Sequence, residues 1–179
     1  MPMKTEIDAE SYQMVERDGI TAIIIHEGKI LLLKRVWLPF ISYPGAWTFV
    51  TGGRNEREDY LAAAYREIYE ETGIQENRLQ LLAKRPYTLL YDPVWKRKKW
   101  HNVLFVFETN TDQVILNYES TPYRWAQMEE IKNRRDYTNV FVEERQILSL
   151  LESTLKKLRR KASAGRSIRE RLFKLGVPH

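Results

Sequence analysis

Residues 52–74 spell GGRNEREDYLAAAYREIYEETGI, and the order of helix formers and glycines in this stretch decides the fold. From Asp59 to Glu71 it contains neither Gly nor Pro, and apolar side chains recur at three- and four-residue steps. That periodicity predicts an amphipathic helix. We expect the helix to end near Thr72 and Gly73, because glycine readily takes the left-handed conformation that closes a helix.

Three acidic side chains of this helix have a spacing that suits a metal ion. Glu67, Glu70 and Glu71 stand at i, i+3 and i+4, which places them on one helix face. Three anions so placed repel one another, whereas Mg²⁺ and Mn²⁺ favour clustered carboxylate oxygens. We therefore expect a metal site, with Glu58 as a fourth carboxylate and Arg66 as a bidentate partner of one glutamate. A solvated acidic face without a ligand is the alternative.

Such a cluster is suited to hydrolysis between phosphates. Metal ions shield the phosphate oxygens, lower the pKa of bound water and hold that water in line with the bond to be cut. A carboxylate that is not coordinated can accept the water's proton, because crowding of like charges raises the pKa of at least one carboxyl group. The residues predict a hydrolase that needs no cofactor beyond the metal.

The rest of the chain predicts a sheet between helices. A hairpin is expected from two apolar runs that flank the sequence His-Glu-Gly-Lys, and a loop rich in Pro and Gly precedes a short strand that Gly52 and Gly53 would break. The predicted strands are 20–25, 30–33, 47–50, 79–90, 100–108 and 123–126, and a second helix is predicted over 140–158. Strands mixed with two helices indicate an α/β/α sandwich with a mixed sheet.

Composition excludes several classes of protein. There is no cysteine, which removes disulfides, thiolate metal sites and cysteine nucleophiles. No apolar run reaches the roughly 20 residues of a membrane-spanning helix, and residues 1–10 lack the apolar segment of a secretory signal. The cytoplasm is therefore the expected location.

The positive charge is concentrated at the C-terminal end. Residues 154–179 hold nine Lys or Arg and one Glu, a net charge of +8. The whole chain has a net charge of +5, so residues 1–153 carry −3. We expect a domain over 1–160 and a basic helical tail over 161–179, with a weak hinge at 161–165. Docking on this subunit or a neighbour, RNA binding and binding to an acidic membrane surface are all open roles for the tail.

The stretch around the helix resembles the Nudix box of the MutT-like hydrolases. The match consists of Gly52, then Glu58 after five intervening residues, then residues 66–74 after seven more. These positions carry the family's glycines, glutamates and arginine at the family spacing. The resemblance extends over about residues 18–150. Thr51 and Arg57 depart from the pattern, since members usually have a proline and a glycine there, and the loop counted from Gly53 is one residue short.

The resemblance implies a set of site residues. It implies that Glu67, Glu70 and Glu71 bind the metal with help from Glu58 and the Gly52 carbonyl, and that Arg66 orients the cluster. In some members a glutamate ahead of a later tryptophan binds metal or acts as the base, and Glu119, six residues before Trp125, is the candidate. The catalytic candidates are thus Arg66, Glu67, Glu70 and Glu119.

The substrate signals lie outside the box. Arg35 and Trp37 are candidates for substrate binding, and Tyr91 falls where dinucleoside polyphosphate hydrolases of this family often have a tyrosine. Pro86 follows the box too closely for the spacing usual in ADP-ribose hydrolases. The basic run 96–99, between Trp95 and Trp100, is either a solvated turn or a grip for phosphates or an RNA 5′ end.

Three functions remain open from the sequence. The first is hydrolysis of a pyrophosphate bond in a nucleoside diphosphate linked to another group or in a dinucleoside polyphosphate. The second is removal of pyrophosphate or a cap from RNA 5′ ends, and the third is a non-catalytic module that binds a nucleotide or RNA. Nudix proteins commonly dimerise, so a homodimer is an open alternative to a monomer.

Overall fold

The computed structural model describes residues 15–38, 44–91, 98–133 and 145–174. The strands are β1 Val15–His26, β2 Lys29–Arg35, β3 Trp47–Thr48, β4 Val50–Gly53, β5 Leu79–Tyr91, β6 Lys98–Thr109 and β7 Ser120–Ala126. The helices are α1 Tyr60–Thr72, α2 Met128–Asn133 and α3 Arg145–Lys174. Sequence-based predictions about residues 1–10, Trp95, Lys96, Arg97 and 140–144 fall outside the described residues.

The strands form one mixed sheet. Its main path runs β3-β2-β1-β6-β5, while β4 pairs with β1 and β7 pairs with β2. The long pairing of β1 with β6 is parallel, from Val15 opposite Lys98 to Ile25 opposite Glu108, and the other pairings are antiparallel. This topology brings β4, the end of β2 and the start of β7 to the same end of the sheet.

Each face of the sheet packs against a helix. Alternate residues of β1 point to opposite sides: Ala22 and Ile24 lie in a core with α1, and Ile23 and Ile25 lie in a second core with α3. The period of two along the strand produces this division. The α/β/α sandwich predicted from the sequence is confirmed.

The hairpin between β1 and β2 turns as its sequence predicts. Ile25 lies opposite Ile30, and the two residues at the turn, Glu27 and Gly28, both have positive φ, 48° and 78°. Two positive φ angles in succession match the right-handed twist of the flanking strands. Gly28 takes this conformation without strain.

Two local predictions were wrong. The strand predicted over 47–50 is divided at Phe49 into β3 and β4, which pair with different strands, and Gly52 and Gly53 continue β4 instead of ending it. Glycine is tolerated there because β1 supplies the pairing partners Ile20 and Gly19.

The hinge predicted at 161–165 is also absent, because α3 continues through it to Lys174. Ser, Ala and Gly weaken a helix without breaking it. The division of the chain into a domain over 1–160 and a tail over 161–179 stays a prediction. None of the helices in the described ranges is long and apolar enough to cross a membrane.

Candidate active site

Helix α1 carries the acidic cluster and is fixed at both ends. The Asp59 carboxylate accepts hydrogen bonds from the N–H groups of Leu61 and Ala62, at 2.8 and 2.9 Å. At the other end Gly73 has φ 68° and donates its N–H to the Tyr69 carbonyl at 2.9 Å. The two caps satisfy backbone groups that a helix end otherwise leaves unpaired, so the helix and its glutamates are held in place.

The three glutamates of α1 have different surroundings although their spacing is helical. Glu71 is 6% exposed. The Glu67 side chain is 14% exposed and the Glu70 side chain 52% exposed. The exposure of the three side chains on this helix face therefore increases from Glu71, the most buried, through Glu67 to Glu70.

Arg66 connects the carboxylates. Its Nε and Nη2 donate to the two oxygens of Glu58 at 2.9 and 3.0 Å, and its Nη1 donates to Glu67 at 2.7 Å and to Glu70 at 3.3 Å. Nη2 also donates to the Gly53 carbonyl at 2.9 Å. A planar guanidinium can satisfy several oxygens at fixed angles, which supports the orienting role predicted for Arg66.

Strand β4 forms the floor beneath the glutamates. A Cβ atom on Gly52 would lie 1.9 Å from Cδ and 2.1 Å from Oε1 of Glu67, so the Glu67 carboxyl group rests directly on the Gly52 backbone. The Thr51 N–H donates to Glu71 Oε1 at 3.4 Å. Glycine is required at 52 by this close approach and not by its backbone angles.

Burial dominates the protonation of the inner carboxyl groups. Removal from water raises the pKa of Glu71 to about 8, assisted by the negative charge of Glu67 and opposed by the Thr51 hydrogen bond. Burial also raises the pKa of Glu67, against the opposing effect of Arg66. The pKa of Glu58 is lowered, chiefly by its hydrogen bonds from Arg66. Within the cluster, the pKa is therefore raised for the buried carboxyl groups of Glu71 and Glu67 and lowered for Glu58.

The shortened loop before α1 is held by a contact that the sequence did not predict. Arg54 pairs with Asp18, and its Nη1 donates to the Glu58 carbonyl at 2.8 Å. The Arg54 guanidinium also lies over the Tyr60 ring, 5.0 Å from its centre.

The Glu58 carboxylate is held by the same loop, since it accepts a hydrogen bond from the N–H of Asn55 at 3.2 Å. Glu58 therefore reaches Arg66 although the loop departs from the family pattern. In the sequence, the one feature related to the ion pair of Arg54 with Asp18 is that Asp18 precedes Gly19 and Arg54 follows Gly53. The pairing of these two glycines across β1 and β4 appears only in the structure.

Other predicted residues lie at the same end of the sheet. Glu119 raises, and Arg35 lowers, the pKa of Glu71 through charge, which places both near the buried carboxyl group. The Val36 N–H donates to the Glu119 carbonyl at 3.0 Å and joins the end of β2 to the loop before β7. The structure therefore groups Glu119 and Arg35 with the α1 glutamates.

Two further predicted substrate residues, Trp37 and Tyr91, lie just beyond the end of β2 and at the end of β5. Trp37 is 79% exposed, and its ring packs on Gly45, where an added Cβ would lie 2.7 Å from ring atoms. Gly45 N–H donates to the Arg35 carbonyl at 2.9 Å, so the loop holding Trp37 is tied to β2. Tyr91 is the last residue of β5, and its side chain lies outside the described part of the structure.

The donor set fits a hard divalent cation in its chemistry. Every candidate ligand supplies oxygen: the carboxylates of Glu58, Glu67, Glu70 and Glu71 and the carbonyl of Gly52. Across the described ranges, no group of three or more His, Asp or Glu side chains is arranged to share one ion. Instead, the Arg66 guanidinium holds Glu58, Glu67 and Glu70. The metal role of these residues therefore stays a proposal.

Arg66→Lys is expected to lower kcat/KM for phosphoric anhydride hydrolysis by about 10- to 100-fold, because one ammonium cannot reproduce hydrogen bonds to three carboxylates. Steady-state assays across a Mg²⁺ titration, with Arg57→Lys as a matched control at an exposed position, measure the change. Equal activity of the two variants would remove Arg66 from the positioning of the cluster.

Comparison with known proteins gives a consistent result. A family model described as the NUDIX domain matches residues 15–148. The RNA pyrophosphohydrolase of Pelagibacter ubique is 27% identical over 128 residues, covering 64% of this chain and 78% of that protein. The RNA pyrophosphohydrolase of Cereibacter sphaeroides (strain ATCC 17029) is 32% identical over 125 residues, covering 61% and 74%. A crystal structure of a C. elegans Ap4A hydrolase is 26% identical with a TM-score of 0.57, covering 82% of this chain and 98% of that chain.

Proposed function

The chain belongs to the Nudix family, and on that premise we propose that it removes pyrophosphate from the 5′-triphosphate end of RNA with the help of a divalent metal ion. As a Nudix hydrolase it acts on phosphoric anhydride bonds. The observation that carries the proposal is the set of carboxylates held by Arg66 against the Gly52 backbone. The similarity to RNA pyrophosphohydrolases supports the choice of substrate.

The metal would be held by oxygen atoms of α1 and β4. Nudix hydrolases generally use divalent metal ions, and Mg²⁺, with Mn²⁺ as the alternative, suits carboxylates and a carbonyl. Glu67, Glu70 and Glu71 would bind it, with Glu58 and the Gly52 carbonyl as further ligands. When bound, the ion supplies charge neutralisation at the phosphates and a water of lowered pKa. This role for Glu71 is compatible with its raised pKa, because a nearby cation favours the charged carboxylate.

We assign the proton-accepting role to Glu119. It lies in the loop before β7, and its negative charge raises the pKa of both Glu67 and Glu71 on α1. It has no hydrogen bond to Arg66 among the contacts of the described residues, so its carboxylate is not committed to the guanidinium. A carboxylate within reach of the attacking water can accept its proton. Arg66 would keep Glu58 and Glu67 in place during the reaction.

The substrate would enter beside β2. Arg35 lies close enough to the cluster to affect Glu71, and a guanidinium suits a phosphate oxygen. Trp37, two residues further on, exposes an indole ring on which a base can stack. Water replaces the pyrophosphate at the α-phosphorus, so the products are 5′-monophosphate RNA and pyrophosphate. In this proposal Arg35 and Trp37 hold the first nucleotide.

An assay of RNA with a labelled 5′-triphosphate in Mg²⁺ tests this substrate assignment. We expect pyrophosphate release with a kcat/KM at least about tenfold above that for ATP or Ap4A, because the RNA contacts the protein beyond the reacting phosphates. The same RNA with a 5′-monophosphate is the control and should release nothing. Turnover of Ap4A equal to or above that of the RNA would overturn the RNA assignment while leaving the hydrolase in place.

Hydrolysis of a dinucleoside polyphosphate is the second candidate. It is favoured by the similarity to the C. elegans Ap4A hydrolase structure and by the position of Tyr91 at the end of β5. In this case the second base would replace the RNA chain as the additional contact. Tyr91→Ala would then reduce kcat/KM for Ap4A and leave that for triphosphorylated RNA unchanged.

A further inference from the structure

The middle of α3 has a concentrated positive surface that the proposed reaction does not use. Five of its six residues over 156–161 are cationic and exposed, and no acidic residue occurs from 153 to 169. We call these five residues the basic helix segment. They are Lys156, Lys157, Arg159, Arg160 and Lys161.

Part of the basic helix segment faces away from the protein's own core. The core side of α3 is formed by Ile147, Leu151 and Leu155, which are 0%, 0% and 5% exposed. Leu155 is the last of these buried side chains, yet the helix backbone continues to Lys174, 19 residues or about 28 Å further at 1.5 Å per residue. At about 100° per residue, Lys156 and Arg160 lie on the side away from the core contacts.

A groove joins this segment to α2. It has a volume of about 550 Å³ and lies between the two helices. Met128 and Leu155 contribute apolar lining. The polar residues that line it are Glu129, Lys132, Glu152, Lys156, Arg159, Arg160 and Ser163. Because Glu152 is paired with Lys132, the charge left along the groove is that of Lys156, Arg159 and Arg160 against Glu129, a net +2.

We propose that the basic helix segment and this groove bind the phosphate backbone of single-stranded RNA, downstream of the nucleotide whose 5′ end is hydrolysed. Closely spaced cations on one helical surface match the regular negative charge of a nucleic acid, and their association releases counterions. The concentration of charge at this end, with a net −3 on residues 1–153, directs a polyanion to it. The identification of the RNA as the substrate's own chain rests on the proposed function.

The observations favour RNA over an acidic membrane surface. A helix that lies on a membrane needs an apolar face to insert beside its cations. Along the part of α3 that ends at Leu155, that face is already packed against the sheet of the same chain. Within 156–161 the sequence has five cations and one apolar residue, and that composition suits a nucleic-acid contact.

The segment is remote from the glutamate cluster, which gives the proposal a specific consequence. Glu119 precedes β7 at the site, whereas Met128 of the groove follows the other end of that strand, whose seven residues span about 23 Å. A mononucleotide therefore cannot contact both places. A longer RNA can, so the segment should affect long substrates and not short ones.

The test compares two variants of the full chain that lose the same amount of charge. The first replaces Lys156, Arg159 and Arg160 with Gln, and the matched control replaces Lys29, Arg78 and Lys84, all exposed, with Gln. Binding is measured by fluorescence anisotropy with a 5′-hydroxyl RNA of about 30 nucleotides, longer than the ~4–16 nucleotides typical of one single-strand-binding fold. Because that RNA has no 5′-triphosphate, the result is independent of whether the chain hydrolyses RNA.

We expect the first variant to weaken RNA binding at least about tenfold in 0.1 M salt and to make the slope of log K against log[salt] shallower by about 2, as for three lost contacts. The control should change both much less, and kcat/KM for Ap4A should be the same in both variants. Equal effects of the two variants on RNA binding would overturn the proposal. Binding to vesicles that contain phosphatidylserine is measured for the same two variants. Weaker vesicle binding by the first variant with unchanged RNA binding would also overturn the proposal. RNA binding that depends on the segment without pyrophosphate release would retain this inference and reject the proposed function.

Discussion

Glu71→Gln is expected to lower kcat/KM for metal-dependent hydrolysis by on the order of 10³-fold or more, because the metal contributes several kcal/mol and each tenfold corresponds to about 1.36 kcal/mol. The same change should not destabilise the metal-free protein. Glu71 is 6% exposed with a pKa of about 8, so near pH 7 its carboxyl group is largely protonated and Gln is close to its shape and charge. Glu71→Gln should therefore lose activity while its free energy of unfolding at pH 7 stays close to that of the wild type.

The pH dependence of unfolding provides the internal control for Glu71→Gln. The pKa of Glu71 is raised in the folded protein, so its contribution to stability is fully present below its ordinary value of 4.5 and is lost as the pH rises through about 8. In EDTA, the wild-type Tm should fall across this interval more than the Tm of Glu71→Gln. An active Glu71→Gln variant, or one that is unfolded at pH 7, would contradict the assignment.

The sequence predicted the elements with strong local signals. Helix α1 was predicted correctly because its apolar period and Gly73 indicate the same helix, and the β1–β2 hairpin was predicted because Gly28 lies between two apolar runs. The parallel pairing of β1 with β6 could not be predicted, since strands separated by more than 70 residues leave no local signal of register. The division of β3 from β4 depended in the same way on which strand each half pairs with.

The sequence predicted that the three glutamates of α1 share one helix face, but not how differently their side chains are exposed, and their role in a site stays a prediction. Spacing alone placed Glu67, Glu70 and Glu71 on one face, and it supported the role of Arg66. Their different exposure is set by β4, which covers Glu71 and Glu67 and leaves Glu70 in solvent. The contact between Arg54 and Asp18 was missed because it joins two strands that the sequence did not show to be neighbours. Charge and burial that arise from tertiary pairing are not encoded in local spacing.

Gly52→Ala is expected to lower kcat/KM by about 100-fold or more with little loss of stability. The added Cβ would lie within 2.4 Å of Cγ, Cδ and Oε1 of Glu67, so that carboxyl group must move. The side chain is flexible and its end is at the clash, so the fold can absorb the change while the carboxylate leaves its position. A misplacement of about 1 Å at a reacting centre can cost ~100-fold in rate. Thermal unfolding and kinetics in a Mg²⁺ titration measure the two effects.

Gly53→Ala is the matched control, since it adds the same methyl group to the next residue of β4. A Cβ on Gly53 meets nothing within 4 Å, and neither glycine has a positive φ. Its backbone carbonyl remains available to Arg66. We expect Gly53→Ala to retain activity within about threefold of wild type, well inside the ~1.4 kcal/mol that a tenfold change represents. Equal losses in the two variants would mean that β4 tolerates no side chain here, and that the contact between Gly52 and Glu67 is not what sets the geometry of the cluster.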